Sequence, residues 1–178
     1  EQECKQAPCV WENSDRVDYY TVSMLDEINS NGLQGEMPES MGGLYIDLLE
    51  NGKKSYARIF RTMAKYDGDC VIFNCAAGKD RTGVTAMLLL DLADVEPEVI
   101  VKDYSVSEQY MKPVFDRQKE QMKQYGIKVP EYVLESKAGE MEKTLEYLRK
   151  NYGTAEDYLS KIGLTKQEID TLKRKLCG

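Results

Sequence analysis

The chain has 178 residues, 42% of them hydrophobic and 31% charged, with a net charge of −7 and no histidine. That length and balance suit a single soluble domain over residues 1–178, and the acidic surplus argues against general nucleic-acid binding. The missing histidine excludes Ser-His-Asp and Cys-His hydrolases, histidine zinc sites and any histidine base, and no run is long enough to span a membrane.

Residues 1–13 are polar, contain Pro8 and Trp11, show no signal peptide and read as an irregular lead-in. A weak helical period follows over 15–28, then a loop rich in Asn, Gly, Pro and Ser over 29–43. Residues 44–66 predict one helix, with Tyr56, Ile59, Phe60 and Met63 on its buried face and Gly68 as its stop. Residues 70–73 form the one convincing strand, and 84–90 read as a buried helix. Pro97 restarts a helix over 96–110, Pro113 marks a boundary, and a charged helix is expected over 115–126. A connector at 127–130 leads to a helix over 131–152, with Met141, Leu145 and Leu148 at helical spacing. Thr154 and Thr165 read as helix caps, the second in a capping box with Glu168 ahead of Ile169, Leu172 and Leu176.

The five cysteines match no zinc spacing. Cys4 and Cys9 read as free thiols of a reducing compartment, a disulfide between them being the alternative, and Cys177 as inert. Cys70 and Cys75 fall on opposite faces of the strand, with Cys70 assigned to core packing.

The run Cys75-Ala76-Ala77-Gly78-Lys79-Asp80-Arg81-Thr82-Gly83 lies between that strand and the next helix. A strand, a tight loop and a helix N-terminus bind phosphate through backbone N–H groups and the positive end of the helix. Gly78 permits positive φ, Gly83 clears space for helix packing, and Arg81 offers a planar fork to two phosphate oxygens. Thr82 is placed to hydrogen-bond a thiolate. A free thiol titrates at about 8.5, but a helix N-terminus and neighbouring cations lower it. Cys75 is therefore expected to be ionised near neutrality and to attack phosphorus, forming a cysteinyl-phosphate with no metal and no cofactor. A nucleotide P-loop is excluded, because Gly78-Lys79 lacks the earlier glycine and Asp80 stands where Ser or Thr is required.

This loop resembles the signature of the protein tyrosine phosphatase superfamily, and most closely its bacterial atypical branch, which carries Cys-x-Ala-Gly-Lys-Asp-Arg-Thr-Gly. Similarity continues through Asp103-Tyr104-Ser105, Tyr152-Gly153-Thr154, Tyr158-Leu159 and Gly163-Leu164, and so covers most of the chain. The resemblance implies Cys75 as nucleophile, Arg81 as phosphate clamp and Asp80 as general acid and base, with Ala76, Ala77, Gly78 and Lys79 completing the phosphate loop. For Asp80 a helix-cap role stands as the alternative, and for Lys79 a solvated lysine stands beside a contact to a multiply phosphorylated head group. Asp103 and Ser107 read as caps or as supports of the loop.

The implied fold is α/β: a mostly parallel sheet flanked by helices, helix-rich in its C-terminal half, with the site at the C-terminal end of strand 70–74. One strand among so many helices leaves that sheet short of partners, so further strands are expected in the first twenty residues or before Glu1. The implied substrates are phosphotyrosine, phosphoserine or phosphothreonine, and phosphoinositides, in a cytoplasmic protein or a secreted effector.

Two departures bear on this. The family's histidine before the cysteine is Asn74 here, which adds no positive charge. The family's N-terminal Asp-Leu-Arg motif is absent, and Glu1-Gln2-Glu3-Cys4 resembles the stretch just C-terminal to that motif, so a trimmed N-terminus is expected. They motivate the alternative of a phosphate-binding pseudophosphatase. Thiol redox chemistry or sulfur or arsenate transfer at Cys75 is a third reading.

Overall fold

A computed structural model describes residues 8–24, 38–126 and 130–178, apart from the Glu131 side chain. Seven α-helices follow one another among these residues: α1 (Met41–Asn51), α2 (Lys53–Lys65), α3 (Asp80–Leu92), α4 (Pro97–Gln124), α5 (Ala138–Asn151), α6 (Ala155–Lys161) and α7 (Lys166–Cys177), with a 3-10 turn at Glu131–Leu134. Helix α1 lies on α5, α4 on α5, and α2 on α7, while α3 touches α1, α4 and α6. Tyr45, Leu48, Phe60, Leu88, Met141 and Tyr158 are among the side chains that meet in one core. Burying each large apolar side chain contributes about 1.5–3 kcal/mol. Among the described residues, no helix is long and apolar enough to cross a membrane.

The expected parallel sheet is overturned: 66% of the described residues are helical and none is in a strand. Residues 70–75 run extended, yet no neighbouring strand pairs with them among the described residues. Val71, Phe73 and Cys75 are half-buried, whereas Cys70, Ile72 and Asn74 are exposed, Ile72 at 87%. The period-2 pattern thus places Cys70 and Cys75 on opposite faces, but the Cys70 face is open, so its assignment to core packing fails.

Four helix boundaries also differ from expectation. The single helix over 44–66 divides at Gly52, where a Cβ would come within 2.6 Å of the Leu48 carbonyl oxygen. Helix α2 ends at Lys65, before the turn that contains Gly68. Pro113 does not end α4, which runs 28 residues through it. The carbonyl left without its donor belongs to Gln109, an exposed residue open to solvent, while Phe115 further along the helix is buried. The expected helix over 131–152 starts late, because the carbonyls of Val133 and Glu135 go to the Lys79 ammonium and not to helical N–H groups. Within 15–28, the described residues up to Met24 form no helix, and the remainder lies outside the described residues, as does Cys4.

Both threonine caps are present. Thr154 and Asp157 form a reciprocal capping box on α6, and Thr165 and Glu168 form one on α7. Ile169 and Leu172 of α7 are buried, while Leu176 is 43% exposed. This last helix also braces the approach to the loop: Lys175 Nζ donates to the carbonyls of Tyr66 and Asp69, and Arg174 pairs with Asp67 at 2.5 Å.

Candidate active site

The extended segment delivers Cys75 half-buried to the base of a bend over 76–79, from which α3 departs at Asp80. Gly78 holds φ at +66°, the left-handed region that a residue without Cβ enters freely, with nothing near the position a Cβ would take. The first bond of α3 runs from Gly83 N–H to the Lys79 carbonyl at 2.8 Å. The N–H groups of Asp80, Arg81 and Thr82 thus precede the helix's own ladder and face the loop. Gly83 lies against α4: a Cβ there would stand 3.0 Å from Tyr104 Cδ2. Side-chain bulk is therefore excluded where α3 and α4 approach.

Burial alone would push the Cys75 thiol up. The Thr82 hydroxyl, the Thr82 N–H, the charge of Arg81 and the Gly78 N–H act together against it, and the net direction is down. Thr82 Oγ1 is itself buried and makes no hydrogen bond of ordinary geometry, and its influence falls on the Cys75 sulfur. Tyr56, fully buried behind the site, keeps its proton well above the usual phenol range, through burial first and the Cys75 charge second. A depressed thiol under convergent N–H donors suits nucleophilic attack on a phosphorus bearing anionic oxygens. Asn74 occupies the exposed position before it and donates to the Cys75 carbonyl at 3.3 Å.

Lys79 points away from the loop mouth. Its side chain is 1% exposed, and Nζ donates to the carbonyls of Val133 at 2.9 Å and Glu135 at 2.7 Å. It also lies 3.2 Å from Asp80 Oδ1 and 5.3 Å from the centre of the Phe115 ring. The expectation of a solvated lysine fails, and the ammonium is occupied by partners within the protein. Asp80, at the first position of α3, is a quarter exposed and also accepts a hydrogen bond from the Tyr45 hydroxyl at 2.6 Å.

Tyr45 and Tyr104 are the residues that sequence reasoning missed. Their hydroxyls are 2.6 Å apart and their rings meet edge to face at 5.7 Å. A phenol has one hydrogen, and Tyr45 directs its own to Asp80, so Tyr104 donates to Tyr45. Burial, the Asp80 charge and Tyr104 hold the Tyr45 phenol far above its ordinary range, and burial pushes Tyr104 up to about 12. Both therefore remain donors at physiological pH. Their helical spacing reads as ordinary core, and only the tyrosine hydroxyl distinguishes them from phenylalanine. Asp103 is exposed, Ser107 is half-buried, and among the described residues no cluster of three metal-ligating side chains occurs.

The chain aligns with a tyrosine-protein phosphatase of Nostoc commune at 32% identity, over 96% of this chain and 61% of that protein. It aligns with the triple specificity protein phosphatase PtpB of Mycobacterium tuberculosis at 27% identity, over 87% of this chain and 64% of that protein. It thus spans less than two thirds of the length of either relative. A model of the tyrosine phosphatase family matches residues 1–178 in full, and the chain belongs to that family.

Proposed function

We propose that this chain hydrolyses phosphomonoesters, phosphotyrosine foremost, through a cysteinyl-phosphate on Cys75. The observation that carries the reading is the lowered thiol of Cys75 beneath the Gly78 bend and the N-terminus of α3. In the first step the Cys75 sulfur bonds to phosphorus as the ester oxygen leaves, taking a proton from Asp80. In the second, water gives a proton to Asp80 and attacks phosphorus, releasing phosphate and the thiolate. Arg81 and the loop N–H groups hold the equatorial oxygens in both steps.

Thr82 stabilises the departing thiolate, and Gly83 lets α3 sit close enough to α4 for the loop to keep its shape. Ala76 and Ala77, both exposed, contribute backbone and no competing side chain. Lys79 supports the loop from behind. With its ammonium occupied, the geometry favours aryl phosphomonoesters over highly charged inositol head groups. The triple specificity in the name of the mycobacterial relative supports testing phosphoserine, phosphothreonine and phosphoinositides beside phosphotyrosine.

The test is phosphate release from a phosphotyrosine peptide, with Cys75→Ser as the control. Hydrolysis by the wild type, a radiolabelled phosphoryl-cysteine trapped on rapid quench and no turnover by Cys75→Ser are expected. Tight binding of phosphate analogues with no turnover by the wild type would instead favour a phosphate-binding protein. A persulfide or substrate-dependent disulfide at Cys75 would favour sulfur or redox chemistry.

A further inference from the structure

The contacts of Asp80 are unequal between its two oxygens. Oδ1 accepts the Tyr45 hydroxyl at 2.6 Å and faces Lys79 Nζ at 3.2 Å. Those two donors come from different directions: Tyr45 from the buried face of α1, and Lys79 from beneath the loop, where two carbonyls and the Phe115 ring hold it. Behind Tyr45, Tyr104 of α4 supplies a second phenol, so hydrogen bonds run in one direction, Tyr104 to Tyr45 to Asp80. A proton on Oδ1 would meet the hydrogens of both donors head-on. A proton on Oδ2 leaves both contacts intact.

We infer that Tyr45, backed by Tyr104 and together with Lys79, positions Asp80 so that Oδ2 carries the proton passed to the leaving group. The inference rests on the proposed hydrolysis and adds positioning residues to it. Tyr45 touches neither substrate nor phosphorus. It acts by fixing the carboxyl rotation about Cβ–Cγ, with Oδ1 turned inward and Oδ2 left for the ester oxygen. Proton donation matters most when the departing oxygen is a strong base and little when it leaves readily as an anion. A fault confined to Asp80 therefore has a signature that general damage to the loop lacks.

The experiment compares phenyl phosphate, a poor leaving group, with 2,4-dinitrophenyl phosphate, a good one. Tyr45→Phe is expected to lower kcat/KM, which reports only the first step, by about ten-fold or more on phenyl phosphate while changing kcat/KM for the dinitrophenyl ester by less than about two-fold. Asp80→Asn should show the same selectivity more strongly, and Tyr104→Phe, which reaches Asp80 only through Tyr45, more weakly. Equal losses on both esters, or no loss on either, would overturn the inference.

A second readout does not depend on turnover. In protein labelled with 13C at the aspartate carboxyls, the Asp80 signal is identified by its loss in Asp80→Asn. Its shift should change in Tyr45→Phe, and an unchanged shift would overturn the contact. A wild type that hydrolyses neither ester, yet shows that change in shift, would sink the hydrolytic reading and leave the hydrogen-bonded arrangement standing.

Discussion

Lys79 Nζ and the carbonyl of Glu135 meet at 2.7 Å across 56 positions of sequence, joining the bend over 76–79 to the turn ahead of α5. The ammonium serves the Val133 carbonyl as well, and it neutralises Asp80 at 3.2 Å. Removing it strands two backbone carbonyls, those of Val133 and Glu135, and leaves Asp80 Oδ1 with the Tyr45 hydroxyl as its donor.

Lys79→Met keeps most of the stem and deletes the charge. Allowing for the partial exposure of Asp80, the loss of these charge-assisted bonds is expected to cost about 2–3 kcal/mol. Urea denaturation reads this directly. A midpoint equal to that of the wild type would show that the clamp contributes nothing.

Gly78 and Gly83 should fail for different reasons when replaced by alanine. At Gly78 nothing obstructs a Cβ, but φ of +66° strains an L-residue by about 1–2 kcal/mol. The strain is relieved by turning the loop peptides, so activity should fall further than stability. At Gly83 the backbone is unstrained, and the Cβ instead meets Tyr104 at 3.0 Å. Overpacking there should cost about 1–3 kcal/mol, and it presses on the phenol that donates to Tyr45. Thermal melts and phenyl phosphate kinetics on the two variants separate the cases. Equal ratios of activity loss to stability loss would contradict the distinction.

The shape of the loop was legible because it is set locally: the bend at Gly78, the close approach at Gly83 and the helix start at Asp80 lie within one short stretch of chain. The caps Thr154 and Thr165 were legible for the same reason. What escaped depends on partners remote in sequence. The hydrogen bond from Tyr45 to Asp80 spans 35 positions and that from Lys79 to Val133 spans 54, and no spacing rule reaches so far. The sheet was an inference from resemblance, whereas Ile72 lies 87% exposed with no strand beside it among the described residues. Pro113 misled because the carbonyl it deprives of a donor belongs to Gln109, an exposed residue, where the lost bond costs less than in a core.

Thr82→Val should raise the Cys75 thiol from its lowered position, since the Thr82 hydroxyl leads the influences that lower it. The change is nearly isosteric and removes a buried hydroxyl, so the fold should lose no more than about 1 kcal/mol. Release of phosphate from the cysteine should slow by about ten-fold, the equivalent of one charge-assisted hydrogen bond to the leaving thiolate. Single-turnover kinetics with quantified phosphoenzyme checks this. An unchanged hydrolysis rate would remove Thr82 from that role.

The lowered thiol also sets the sign of the pH dependence. In the unfolded chain Cys75 titrates near its ordinary value of about 8.5, and in the folded protein it titrates below that. The folded state therefore holds fewer protons between the two values, and the ionised thiol stabilises it increasingly as pH rises through that window. The contribution is fully present above the unfolded value and is lost as pH falls through the folded one. Compared with Cys75→Ala, the wild type should gain relative stability as pH rises from the lowered folded value towards the ordinary thiol value. Iodoacetamide gives the kinetic counterpart, because only the thiolate reacts. Alkylation of Cys75 should reach half its plateau rate below the ordinary thiol value, and phosphate analogues should protect against it. In Thr82→Val the midpoint should move upward. A wild-type midpoint at or above about 8.5 would mean that burial outweighs Thr82, Arg81 and Gly78. The nucleophile would then be mostly protonated at neutrality, and the case for hydrolysis would weaken at its base.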